Sequence, residues 1–148
     1  IHNPEQVIAS GTTPEFGDPL LWDFGGLGIR SMEYDPRRAC YWIIAGPHDS
    51  DNRPLALYRW DGDPAAKPTF INGLDALPDG FTPEALVCFP DDPRLLLLSD
   101  DGSRLIRIGD GDAVDPSHIE PDGTAEQKRL LDPMQRTFRG FWIELPQE

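Results

Sequence analysis

Basic side chains are scarce in this chain of 148 residues. Thirteen Lys and Arg stand against 26 Asp and Glu, giving a formal net charge of −13. Such a surface repels phosphate backbones and anionic lipid, which argues against nucleic-acid partners and membrane-surface roles. Cysteine is nearly absent. Cys40 and Cys88 are too few for a disulfide framework, and no CxxC pair exists; they read as buried free thiols more readily than as a bridge. No apolar run approaches the roughly 18 residues of a membrane span. None of His2, His48 and His118 has a second His or Cys at ligand spacing, which disfavours a structural zinc site. The G-x-S-x-G elbow of a standard serine hydrolase is missing. The chain opens on Ile1 with no charged-then-apolar leader, so either a leader was removed or this is a piece of a longer protein. The residues assign neither a cytoplasmic nor an exported location.

What is present describes a folded all-β domain. Hydrophobic residues make up 39% and charged residues 26%, enough for a real core. The acids comprise 18 Asp and only 8 Glu, beside 16 Pro and 14 Gly. Asp, Pro and Gly make tight turns, whereas Glu favours helices. The negative charge therefore reads as many solvated turns between short strands.

Residues 1–24 read as an irregular segment with short strands at Val7–Ser10 and Leu20–Phe24. Gly25, Gly26 and Gly28 resemble a phosphate loop, but no GKS/T follows and no helix pattern starts there, so a turn is the better reading. Beyond them the chain repeats. Arg30-Ser31-Met32-Glu33-Tyr34-Asp35-Pro36 aligns with Glu84-Ala85-Leu86-Val87-Cys88-Phe89-Pro90, and Trp42-Ile43-Ile44-Ala45 with Leu96-Leu97-Leu98-Ser99, at one common offset. At a shorter offset Leu57-Tyr58-Arg59-Trp60 pairs with Leu105-Ile106-Arg107-Ile108, and Asp-Gly-Asp follows both, at 61–63 and 110–112. Self-similarity at this period marks a propeller, whose blades are four-stranded antiparallel meanders. Tyr41–Ala45 and Leu95–Leu98 are apolar throughout, as inner strands covered on both sides should be. The spacing predicts two four-stranded blade-like units, over residues 25–80 and 81–148, with outer strands at Thr69–Ile71 and Phe138–Leu145. An insertion over 113–136 carries a capping-box pattern, Thr124-Ala125-Glu126-Gln127, that predicts a short helix to about Leu131, closed by Pro133. Two blades close no ring, since propellers typically hold about 4–8. The expected partner is therefore a missing N-terminal half of the same protein or a second copy, as a homo-oligomer.

The segments Gly26–Arg30, Ala45-Gly46-Pro47, Leu57–Gly62, Pro83–Leu86, Leu97–Gly102 and Asp132–Gly140 together resemble the bacterial family known as domain of unknown function 3616 (DUF3616), over most of residues 25–145. The resemblance implies the C-terminal half of a propeller-like domain about twice this length. It implies no established activity.

The candidate chemistry sits at strand ends. Arg30 and Glu84 occupy equivalent positions at the start of two inner strands, where a propeller channel binds ligands and metals. One reading gives Arg30 an anion and makes Glu84 a metal ligand or general base. The simpler one is a salt bridge between units that fixes their register. Asp100 and Asp101 end the second inner strand; paired carboxylates there suit Ca²⁺, although Asp-Asp-Gly is also an ordinary turn. The Asp-Gly-Asp turns lack the terminal Glu of a calcium loop. His48, near the same rim, is the candidate catalytic histidine, with an exposed loop residue as the plainer reading. The four tryptophans are explained by packing between units. No catalytic set outweighs its plain alternative. The favoured expectation is a non-catalytic binding or scaffold domain without a cofactor. The alternative is a propeller hydrolase of an ester, lactone or phosphoester, with Ca²⁺ held by Glu84 and Asp100.

Overall fold

The computed structural model of the protein describes residues 1–48, 53–71, 73–74 and 77–145. It is an all-β arrangement of antiparallel sheets with little helix. The described residues form no closed barrel or propeller ring.

The first sheet is a four-stranded meander of β1 (Gly28–Asp35), β2 (Cys40–Gly46), β3 (Ala56–Trp60) and β4 (Thr69–Ile71), in that order. The second contains β5 (Pro83–Cys88), β6 (Leu95–Ser99) and β9 (Gly140–Ile143). Between β6 and β9 the chain makes a separate hairpin of β7 (Leu105–Arg107) and β8 (Thr124–Glu126).

The repeat read from the sequence is present in the backbone. In the first sheet Ile29 pairs with Ala45 and Ser31 with Ile44, so a bulge falls on Arg30. In the second, Pro83 pairs with Ser99 and Ala85 with Leu98, so the same bulge falls on Glu84. A bulge inserts one residue and re-aims its side chain. Its recurrence at equivalent positions turns Arg30 and Glu84 to the same end of both sheets.

Four sequence expectations are corrected. The third strand of the second unit is not Leu105–Ile108, which lies largely in the β7–β8 hairpin. Gly140–Ile143 takes that place against β6, third in order and not fourth. The physical reason is what each segment offers the core. Phe141 and Ile143 alternate inward from β9 and Ile143 is buried, whereas Leu105 and Arg107 are exposed. Thr124–Glu126 is a strand, and only Gln127–Arg129 makes a 3₁₀ turn. Pairing with β7 satisfies its backbone in place of a helix. Val7–Ser10 ends a helix, α1 (Pro4–Ser10), that starts on a proline and stops at Gly11, held at φ 66°. Leu20–Phe24 is not a strand.

The two sheets pack face to face. Cys40, Trp42, Ile44 and Leu57 of the first meet Leu86, Leu95, Leu97 and Ile143 of the second, with Phe81. By the repeat, Leu95 and Leu97 stand where Tyr41 and Ile43 stand in the first sheet, on the face opposite Trp42 and Ile44. The contact is thus head to tail: one face of the repeat packs on the other, which is the heterologous geometry that continues an array. The first sheet's far face, Ile43 and Ala45, is covered by Phe24 with Trp22 and Leu27. On the second sheet's far face, Leu96 and Leu98 are only half-buried, and Trp142 is 38% exposed.

Candidate functional site

Arg30, His48, Glu84, Asp100 and Asp101 all fall at one end of the two sheets. β1 and β5 begin there, β2 and β6 finish there, and Ser31 Oγ accepts from the Leu86 N–H at 3.0 Å, which sets the two first strands side by side. The structure joins Arg30 to Glu84 as an ion pair between the sheets. The second guanidinium nitrogen of Arg30 donates to the Pro47 carbonyl at 2.7 Å. Its Nε is buried with no hydrogen-bond partner. The Arg30 side chain passes over Gly46, where a Cβ would collide with its Nε and Cδ and come within 2.7 Å of Leu55. Gly46 is therefore the residue that lets Arg30 cross the sheet end toward Glu84.

Asp101 is buried and saturated. Its carboxylate takes a forked pair from Arg139, Nη2 at 2.7 Å and Nε at 2.9 Å, with the Arg139 backbone N–H at 2.9 Å and Ser99 Oγ at 3.0 Å. Ser99 Oγ in turn accepts from Thr82 N–H, and Arg139 donates to the Gly80 carbonyl at 2.6 Å while lying over the Phe81 ring. One carboxylate thus ties the end of β6, the approach to β5 and the start of β9. The Arg139 guanidinium bonds hold the Asp101 pKa below its ordinary value and, with the Ser99 bond, outweigh the opposing push of burial. Asp100, beside it, is exposed and closes its own turn on Gly102 N–H at 2.9 Å. His48 is exposed just past β2, and the residues after it, 49–52, lie outside those described.

The pairing expected to hold a metal, Glu84 with Asp100, is thus set among other bonds: Glu84 meets Arg30 and Asp100 caps a turn. Among the described residues no three His, Cys, Asp or Glu side chains converge as a metal-binding group. Both cysteines are free thiols. Burial raises each pKa, that of Cys88 to about 12, so neither is poised as a thiolate nucleophile.

Sequence reasoning missed Asp35. It is buried and accepts from Trp42 Nε1 at 3.1 Å, Arg38 Nη1 at 2.8 Å and Arg37 N–H at 2.9 Å. Burial would raise its pKa, but those bonds together lower it. The Asp35-Pro36 pair reads as any turn, and only the structure shows Trp42 and Arg38 converging on it. Arg139 was equally hidden, 38 residues past Asp101 across a segment without periodicity.

No family model matches the chain, and no curated protein or solved structure matches it either.

Proposed function

We infer that the chain is a non-catalytic binding or scaffold unit of stacked, propeller-type sheets, the architecture that its resemblance to DUF3616 implies. The observation that carries the reading is the use made of the charged strand ends. Arg30 with Glu84 bridges the two sheets, and Asp101 with Arg139 bridges strands of the second. The first pair joins the sheets and the second fastens the strands of one of them, and the head-to-tail packing supplies a scaffold whose outer sheet keeps a face for a partner.

Glu84→Gln separates this reading from a calcium-dependent hydrolase. The bridge joins a half-buried guanidinium to an exposed carboxylate, so its loss is expected to lower stability by about 1 kcal/mol, the upper end for exposed ion pairs. Thermal unfolding with and without millimolar Ca²⁺ is the measurement. The expected result is a lowered Tm in Glu84→Gln and no shift with Ca²⁺ in either protein. A Ca²⁺-dependent rise in Tm that Glu84→Gln removes overturns the reading in favour of the hydrolase.

A further inference from the structure

The two sheets are copies of one repeat, yet they differ in depth. β5 and β6 repeat β1 and β2 down to the bulge, and β9 takes the place of β3 beside β6. In the first sheet β4 lies next to β3, with Leu57, Tyr58 and Arg59 opposite Ile71, Phe70 and Thr69. In the second, no strand among the described residues lies beyond β9. We propose that the free edge of β9 is a docking site for an extended peptide from a partner protein, which adds antiparallel along Gly140–Trp142 as the fourth strand of the second sheet. The proposal rests on the reading of the chain as a binding unit and names what it binds.

The backbone is set for this. Ser99 N–H donates to the Arg139 carbonyl at 2.9 Å. Antiparallel bonding alternates, so Phe141 and Ile143 bond toward β6 while the N–H and C=O groups of Gly140 and Trp142 point out along the open edge. Proteins commonly blunt such edges with Lys, Pro or a bulge. Gly140-Phe141-Trp142-Ile143 carries none of these.

The first sheet also shows what chemistry the position takes. Phe70, the centre of β4, meets the Tyr58 ring edge-on at 5.8 Å. Phe141 stands where Tyr58 stands, so the docked strand needs a large apolar or aromatic residue opposite it. The flanking residues, opposite Gly140 and Trp142, fall on the second sheet's far face. There Leu96 and Leu98 are half-buried, Phe89 is 41% exposed, and the Phe89 and Trp142 rings lie 5.6 Å apart. A docked strand would extend that face, on which the Arg94 guanidinium lies 4.5 Å from the Trp142 ring. With a net charge of −13 on the chain, basic residues at the peptide ends favour encounter. The occupant is thus a short strand with an aromatic centre and basic flanks, held by main-chain bonds as in β-strand addition.

The probe is a synthetic peptide of this chain's own residues 65–73, which contain β4 with Lys67 before it. Added to the whole protein, it is expected to bind saturably and to slow amide exchange of the Gly140 and Trp142 N–H groups at least tenfold. Two backbone-methylated versions leave the protein untouched. Methylation at the positions of Thr69 and Ile71, whose N–H groups would face β9, is expected to weaken binding at least tenfold. Methylation at Phe70, whose N–H points away, is expected to leave it within about threefold. Absence of binding, or equal binding of both methylated peptides, overturns the proposal. So does self-association of the protein alone that Trp142→Pro abolishes, since the edge would then belong to a second copy. None of these outcomes depends on Ca²⁺, so the edge can fail while the binding reading stands, and the reverse.

Discussion

Asp35 and Asp101 show how much of this fold is held by single carboxylates. Each is buried, and each answers its burial with an arginine and with N–H or O–H donors. Both folded-state pKa values lie below the ordinary Asp value near 3.8. As pH falls, the unfolded chain therefore takes up these protons first. The stability they contribute is fully present above the ordinary value and is lost as pH drops through the depressed folded values. Urea midpoints are expected to hold from pH 7 to about 5 and to fall below about 4, in line with that ordinary carboxylate range. Asp101→Asn should flatten the fall and, by leaving Arg139 without its counter-charge, cost about 2–4 kcal/mol at neutral pH. An equally steep fall in the variant would assign the acid transition to other groups. Of these interactions the sequence announced little. Asp-Asp-Gly marked Asp101 as a strand-end acid, but the arginine that saturates it comes from a distant segment. Arg30 and Glu84 were legible as partners because the repeat placed them at equivalent positions.

At the scale of the element, β6 separates what a strand's two faces contribute. Leu95 and Leu97 are buried between the sheets, while Leu96 and Leu98 look out on the open face. Leu97→Ala leaves a cavity between the sheets and is expected to cost about 2–5 kcal/mol by chemical denaturation. Leu96→Ala removes a side chain already half in water and should cost about 1 kcal/mol. Similar losses at both positions would mean that the far face is covered in solution. A continuous leucine run shows the strand and conceals this asymmetry. The same limit explains the third strand. Leu105–Ile108 matches the repeat by residue type, but pairing follows what a segment buries, and Gly140–Ile143 supplies Phe141 and Ile143 to the core. The strands through β6 were readable from periodicity, because each pairs with its neighbour along the chain. Past β6, sequence spacing no longer reports spatial order.

For the molecule as a whole, head-to-tail stacking creates two ends that must be dealt with differently. The first sheet's far face is closed by an irregular segment. Phe24 lies 4.5 Å from the Tyr58 ring, and Trp22 lies 4.9 Å from Trp60. A segment that the sequence suggests as a short strand, and that is irregular in the structure, thus covers the face on which a preceding sheet would stack. Replacing both Trp22 and Phe24 with Ala should expose Ile43, Ala45, Tyr58 and Trp60 together. The expected cost is about 3–5 kcal/mol, typical of a buried aromatic lost to Ala. Light scattering should report concentration-dependent association, because an apolar sheet face opened to water seeks a second one. The arrangement of the stack dictates the partner in that association. Each face is complementary to the opposite face of the repeat, so the uncovered first sheet should pair with the open second sheet of another copy. Leu98→Lys on that open face should then suppress association of the Trp22→Ala, Phe24→Ala protein without restoring its stability. If association persists, the exposed faces pair with their own kind, and head-to-tail complementarity does not govern contacts between copies.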